Sequence, residues 1–287
     1  MYIDLHCHTT ASDGKLTPSQ LVQKAKRLGF SCLAKVDHDS AYLTDEFLRA
    51  GKKYKINAIP GIEISSRYKN KSIHIIGLGI NHTSQTIVAY SKNKTIARKI
   101  RGLKMAKKLE KNGWHIKKSE LKRKLVARPH VALAIINHPK NKKRLIDEFG
   151  QMPNFSTFIT AYIAPGKPGF VPKTFYINPA AAIKLIHSSN GLAIIGHPCS
   201  KTKEFNYSRA HLKELISKFK FDGLEVYSHD HRQAEIKYLK KLALKYNLLM
   251  SAGSDYHGYD QISPFGVCNN GRYATQKMCQ EIISRLV

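Results

Sequence analysis

Short apolar runs rich in β-branched residues recur along the chain at 2–7, 32–36, 58–64, 73–80, 192–195, 223–227 and 248–252. Their length and composition predict strands. Between most of them lie stretches with helical spacing of apolar positions, at 17–28, 179–187, 210–219 and 233–246. Thr17 before Pro18, and Asn178 before Pro179, each set a capping side chain directly ahead of a first-turn proline. Strands alternating with helices predict an α/β fold with a parallel sheet. Seven strands suit a closed barrel, in which chemistry converges on the carboxyl ends of the strands.

The stretch 83–170 breaks this rhythm. It holds no convincing strand and carries a long basic helical pattern at 95–112 that stops near Gly113. The division expected is a barrel domain built from 1–82 and 171–287, interrupted by a small helical subdomain over 83–170.

Composition narrows the class of protein. A chain of 287 residues with 42% hydrophobic content buries a large core, and no apolar run nears the roughly 20 residues of a membrane helix. A strand pattern starts at Met1, so no signal peptide is expected. Cys7, Cys32, Cys199, Cys268 and Cys279 are scattered and form no CxxC pair. That argues against a disulfide framework or a thiolate zinc site and fits a reducing cytoplasm. The 48 Lys and Arg against 20 Asp and Glu leave a net charge of +28, a field that draws polyanions, nucleic acid foremost. Many of these bases crowd the interrupting segment, where they form either a solvated surface or a polyanion-binding one.

The chemistry-bearing residues fall at predicted strand ends. His6-Cys7-His8 closes the first strand, and alternation sends both imidazoles to one side. Asp13 follows in Ser12-Asp13-Gly14. His38 stands in Asp37-His38-Asp39 after the second strand, Glu63 ends the third, and His74 opens the fourth. His197 lies in Gly196-His197-Pro198, and Asp255 and His257 lie in Ser254-Asp255-Tyr256-His257-Gly258. Imidazole with carboxylate and no thiolate suits manganese, zinc or iron. Nine candidate ligands exceed the four of a closed structural site, so a cluster of divalent ions with positions open to water and substrate is expected. Asp39 reads as an N-cap of the next helix, and Asp37 as a possible acceptor orienting His38.

Taken in order, these motifs closely resemble the polymerase and histidinol phosphatase (PHP) family. The resemblance implies a distorted (β/α)7 TIM-like barrel with three divalent ions. It assigns His6, His8, Glu63 and Asp255 to one ion, and has Glu63 bridge to a second held by His74 and His197. Asp13, His38 and His257 take the third. His82 competes with His74 for its place. Arg128-Pro129-His130 and the segment from Gly166 to Lys173 resemble the branch of nucleoside 3′,5′-bisphosphate phosphatases and of the 5′-to-3′ exoribonuclease called ribonuclease AM.

On that reading the chain is a metal-dependent phosphoesterase acting on a nucleotide or short RNA. Glu63 and Asp255 belong to the catalytic centre. Arg128 and His130 grip phosphate, Lys167 and Lys173 add point charges, and Tyr256 stacks on a base, whereas Tyr227 belongs to the core. Glu225 is either a further acid behind the ligands or a salt-bridge partner inside the barrel mouth, and His229 or a water is the candidate proton donor to the leaving oxygen. Neither a membrane nor a stable protein partner is expected. The rival readings are a small-metabolite phosphatase, such as one for histidinol phosphate, and an RNA-binding accessory protein whose metal is structural.

Overall fold

The computed structural model describes residues 1–200, 206–259, 263–269 and 271–286, with the side chain of Asn269 left aside. It separates into two compact units, Met1–Ser91 with Tyr176–Val287, and Lys92–Phe175.

The first unit is built on a sheet of β1 (Tyr2–Cys7), β2 (Phe30–Lys35), β3 (Asn57–Tyr68), β4 (Lys71–Leu78), β5 (Leu192–Ile195), β6 (Gly223–Ser228), β7 (Leu249–Gly253), β8 (Val267–Asn269) and β9 (Arg272–Thr275). In the sheet their order is β7-β6-β5-β4-β3-β2-β1-β9-β8. The helices of the chain are α1 (Pro18–Arg27), α2 (Thr44–Tyr54), α3 (Gln85–Lys111), α4 (Arg128–Ile136), α5 (Lys142–Phe149), α6 (Phe155–Phe158), α7 (Pro179–His187), α8 (Arg209–Lys218), α9 (Gln233–Lys245) and α10 (Gln280–Leu286). Thr17 caps α1 in a reciprocal box with Gln20, and Asn178 caps α7, as their sequence signals predict.

Among β1 to β7 the sheet departs from the all-parallel expectation at one strand, and β9 and β8 add antiparallel pairings beyond β1. β4 runs antiparallel to both β3 and β5. The reason is local: Lys69 and Asn70 both take left-handed backbone, a turn that folds β3 straight back with no helix between. The barrel closes only at its carboxyl end, where His8 N donates to Tyr256 O at 2.8 Å and Tyr256 N to His6 O at 3.3 Å. At the other end of β1, Tyr2 and Ile3 pair with β9 instead. The short β8–β9 hairpin has no counterpart among the strands that the hydropathy pattern predicts. The barrel core gathers Ile3, Leu5, Val36, Ile62, Ile75, Ile194, Leu224 and Ala252, all fully buried.

In the second unit, α3 packs Met105, Ala106 and Leu109 against Trp114, Val131, Ile135 and Phe158. The division of the chain differs from the expected 83–170. α3 begins ten residues before the predicted 95, and Ile87 in its first turn sits in the barrel core. At the far end, Arg101 Nε donates to Val171 O at 2.9 Å and Lys94 Nζ to Phe175 O at 2.7 Å, which holds 171–175 to α3.

Candidate metal centre

Seven of the nine expected ligands sit at or after a strand's carboxyl end. Glu63, expected to end the third strand, instead lies midway along β3, which runs on to Tyr68 to pair with β4, and the reversed strand supplies His74. Because β4 runs backwards, its early residue His74 lies across from Ser65, two residues past Glu63 and on the same sheet face. His38 bridges to Glu63 through backbone. Cys7 turns away from His6 and His8 into a core cluster with Leu21, Val22 and Ala25. His197 and Asp255 each hold a left-handed backbone, with φ of 26° and 53°, a strained conformation that persists where surrounding contacts enforce it.

All nine side chains meet in one contiguous cluster with Glu63 at its centre. Glu63 Oε1 lies 2.8 Å from His74 Nδ1, 3.1 Å from His197 Nε2 and 3.4 Å from His6 Nε2. Its other oxygen lies 2.5 Å from His38 Nδ1 and 3.5 Å from His8 Nε2. Asp255 Oδ1 approaches His8 Nε2 at 3.1 Å and His6 Nε2 at 3.3 Å. Asp13 faces His257 Nε2 at 3.4 Å and His38 Nε2 at 3.9 Å. Three overlapping groups bring their donor atoms within 4.8 Å of one another: His8, Asp13, His38 and His257; His6, His8 and Glu63; and His38, Glu63 and His74.

This donor set fits divalent cations. His6 Nε2, both ring nitrogens of His8, Asp13 Oδ1, His38 Nδ1, Glu63 Oε2 and Asp255 Oδ1 are buried without a hydrogen-bond partner. Each such atom costs about 1–3 kcal/mol if nothing satisfies it. The close approach of His38 Nδ1 to Glu63 Oε2 lacks hydrogen-bond alignment, so neither atom is satisfied by the other. Burial pushes the His8 imidazole down to about 4 and that of His74 to about 3, so both offer lone pairs. Burial alone would raise the carboxyls of Glu63, Asp13 and Asp255, but the surrounding imidazoles hold all three well below the usual range. Against burial, Glu225 and Glu63 raise the His6 imidazole and Glu63 raises that of His197, so His8 and His74 stand neutral without a cation, whereas cation binding at His6 and His197 displaces a proton. Burial opposes charge on His257, yet Asp13 and Asp255 lift it to about 10. The cluster is half-buried only at His38, Asp255 and His257, the side from which solvent reaches it.

A second layer of acids fixes these groups. Glu225 accepts from His6 Nδ1 at 2.9 Å and from His197 N at 2.6 Å, so one carboxylate aligns two expected ligands and points His6 Nε2 inward. Asp4 accepts from the backbone N–H of His6, Ser254 and Gly266 and from the Ser254 hydroxyl, and so ties β1 to the turn carrying Asp255. Gly253 is required by closeness: a Cβ there would lie 2.1 Å from His6 Cβ. Sequence reading misses Asp4, whose only signal is an acid in an otherwise apolar strand two residues before His6.

Other expected residues fall elsewhere. Asp39 is no N-cap, because α2 starts at Thr44; it accepts from Ser65 N at 2.8 Å and from the Tyr90 hydroxyl at 2.7 Å. Asp37 does not orient His38 but gathers donors from Thr9, Ser12 and Lys35. His82 pairs with Asp45 at 2.8 Å, outside the cluster. Tyr256 is 1% exposed, its ring edge-on to Phe265 and its hydroxyl bonded to Lys24, so it has no face to offer a base. Tyr227 is buried in the core, as expected. Arg128, His130, Lys167 and Lys173 belong to the second unit. His130 is buried and commits Nδ1 to capping α4 through Ala127 N at 3.1 Å; Arg128 is half-buried and Lys167 exposed. His229 Nε2 lies 3.2 Å from Asp230, just past β6.

Residues 4–259 match the PHP domain. The chain belongs to the PHP domain family. Among curated PHP relatives it is 33% identical to a 5′-3′ exoribonuclease of Haemophilus influenzae, over 88% of this chain and 89% of that one. It is 33% identical to the 5′-3′ exoribonuclease Rnm of Escherichia coli, over 88% and 84% of the two chains. A 3′,5′-nucleoside bisphosphate phosphatase of Chromobacterium violaceum is 28% identical over 89% of this chain and 87% of that one. The PHP fold is shared with a solved Bifidobacterium adolescentis structure described as a metal-dependent phosphoesterase, with a TM-score of 0.81, 23% identity and coverage of 99% and 96%. A Chromobacterium violaceum structure described as an amidohydrolase with bound sulfate superposes with a TM-score of 0.80 and 26% identity, over 99% and 97% of the chains.

Proposed function

We propose that this PHP protein is a divalent-metal-dependent phosphoesterase that hydrolyses nucleotide phosphate esters. It acts as a 3′,5′-nucleoside bisphosphate phosphatase, as a 5′-to-3′ exoribonuclease on short RNA, or as both. The observation that carries this reading is the group of buried atoms on His6, His8, Asp13, His38, Glu63 and Asp255 that make no hydrogen bond, in a cluster open to solvent beside Asp255. The names of its relatives support the same chemistry. In the second unit, 21 Lys and Arg against 4 Asp and Glu favour a polyanionic substrate over a small metabolite.

In this reading His6, His8, Glu63 and Asp255 hold one ion, Glu63 with His74 and His197 a second, and Asp13, His38 and His257 a third. Nitrogen and oxygen donors without thiolate suit manganese, zinc or iron. Bound there, the ions supply Lewis-acid polarisation of a phosphoryl group and a water made acidic enough to attack. The protein's own groups do the rest. Glu63 and Asp255 balance the positive charge of the centre, and Glu225 keeps His6 in register. Arg128 grips phosphate with its planar fork, while Lys167 and Lys173 add point charges. His130 joins them only by giving up its cap on Ala127. His229, held by Asp230, is the candidate proton donor to the leaving oxygen.

All five cysteines are free thiols, and no helix among the described residues is long and apolar enough to cross a membrane. We place the enzyme in the reducing cytoplasm. The test is turnover of adenosine 3′,5′-bisphosphate, short 5′-phosphorylated RNA and histidinol phosphate by manganese-loaded protein. Hydrolysis of either nucleotide substrate, abolished by a chelator and by Glu63→Ala, is expected. Turnover of histidinol phosphate alone would contradict the assignment, as would activity that survives both treatments.

A further inference from the structure

Lys35, the last residue of β2, is fully buried, side chain included. A buried ammonium is costly unless a carboxylate and further acceptors take the place of water. Here Nζ lies 2.9 Å from Asp37 Oδ2 and 3.4 Å from Thr44 Oγ1, in the first turn of α2. Its neighbour on the same side of β2, Leu33, packs into the layer between the sheet and α1 and α2. The lysine therefore rises through that apolar layer to place a charge just beneath the rim that carries the metal-site residues.

Asp37 does more with its carboxylate than pair with Lys35. Oδ1 accepts from Thr9 N at 2.8 Å and Ser12 Oγ at 2.6 Å, and Oδ2 accepts from Thr9 Oγ1 at 2.7 Å. Thr9 O in turn accepts from the N–H of Ser12 and Gly14. Thr9 and Ser12 both precede Asp13 in the loop after β1, so the carboxylate fixes the segment from which Asp13 projects. Thr9 and Ser12 bring neutral donors to the carboxylate, whereas Lys35 adds an opposite charge beside it, so the lysine alone makes an ion pair with Asp37.

We propose that Lys35 is a positioning residue for the metal centre: its buried ammonium anchors Asp37, and Asp37 holds the Thr9–Ser12 loop so that Asp13 faces His38 and His257. The effect is local to one of the three donor groups. Glu225, not Asp37, aligns His6 and His197. The inference rests on the cluster binding cations, and its test separates the two claims.

The test is titration of metal-free, full-length protein with Mn²⁺, followed by calorimetry and by paramagnetic resonance, with thermal unfolding measured in parallel. Wild type, Lys35→Met and Ser12→Ala are compared. Lys35→Met keeps the volume and removes the charge; Ser12→Ala removes one tether without touching the buried ion, and stands in if Lys35→Met does not fold. The expected result is one class of Mn²⁺ sites weakened about tenfold or more in Lys35→Met, and less in Ser12→Ala, while the remaining classes keep their wild-type affinity. The proposal is overturned if the folded variants bind every class as wild type does, or if all classes weaken together in step with a lowered melting temperature, as a merely structural lysine would cause. Failure of wild type to bind Mn²⁺ at all sinks the metal centre itself, and this inference with it.

Discussion

The barrel unit and the helical unit bury polar groups in opposite ways. At the barrel rim, acids and imidazoles are buried together at high density: Asp4, His6, His8, Asp37, Glu63 and Glu225 are all fully inaccessible. Such a set persists only if each member is satisfied by a neighbour or by a bound cation. The helical unit keeps most of its charge outside, with Arg98 a buried exception. Three of its four acids are matched locally, Glu120 by Lys117 and Arg123, Asp147 by Lys143, and Glu148 by Arg144. Along the outer face of α3, the exposed Lys92, Lys104 and Lys107 alternate with Ile96, Ile100 and Leu103, each more than 40% exposed. The first unit is organised for chemistry at a point and the second for a diffuse field. The contrast teaches that removing a rim residue should abolish a step, while removing a surface lysine should only tilt an affinity.

The sharpest break in that contrast comes from the centre of the rim. Glu63→Gln keeps the shape and removes the negative charge that draws cations. It is expected to lower kcat/KM on a nucleotide substrate by about 10³-fold, read from initial rates at saturating Mn²⁺. One step outward, Glu225→Gln leaves every proposed ligand in place but loosens His6 and His197. A loss of metal affinity of about 10–100-fold is expected by titration, with kcat recovering at high metal concentration. If Glu225→Gln instead leaves metal affinity untouched, the acid is only a structural partner.

Gly253→Ala tests the same region through packing. The added methyl meets His6 Cβ and backbone as well as the Glu225 carboxylate, none of which has room to yield. Destabilisation of about 1–3 kcal/mol is expected in urea unfolding, together with weakened metal binding. The smallest effect belongs to the helical unit. Lys99→Glu with Lys107→Glu should weaken binding of short RNA several-fold and flatten its dependence on salt, by a slope of about 0.7 for each phosphate no longer neutralised. Hydrolysis of a mononucleotide bisphosphate should stay within about twofold. An equal loss on both substrates would erase the distinction between the two units.

The cluster of imidazoles and acids is partly legible in the sequence because many of its residues obey simple placement: His6 and His8 alternate on a strand, and His197 and Asp255 stand where apolar runs stop, whereas Glu63 lies inside a strand longer than its apolar run. Strand positions are legible for the same reason, since runs such as Leu192–Ile195 and Gly223–Ser228 are short, apolar and bounded by turn residues. Direction is not. The reversal of β4 rests on a two-residue turn at Lys69 and Asn70, and a lysine in left-handed backbone leaves no mark in a hydropathy pattern. The supporting charged groups are harder still. Asp4 and Lys35 lie inside apolar strands, and their partners, Ser254 and Asp37, are identified only once the barrel brings the strands together. Tyr256 defeats sequence reading because a motif places a residue beside a site without saying which way its ring turns.

The central claim is that these buried side chains cluster cations. Anomalous diffraction from crystals grown with Mn²⁺ tests it most directly. The account predicts three peaks around Glu63, one of them flanked by Asp13, His38 and His257. Crystals that show no manganese there, or manganese only at other places on the protein, would contradict it.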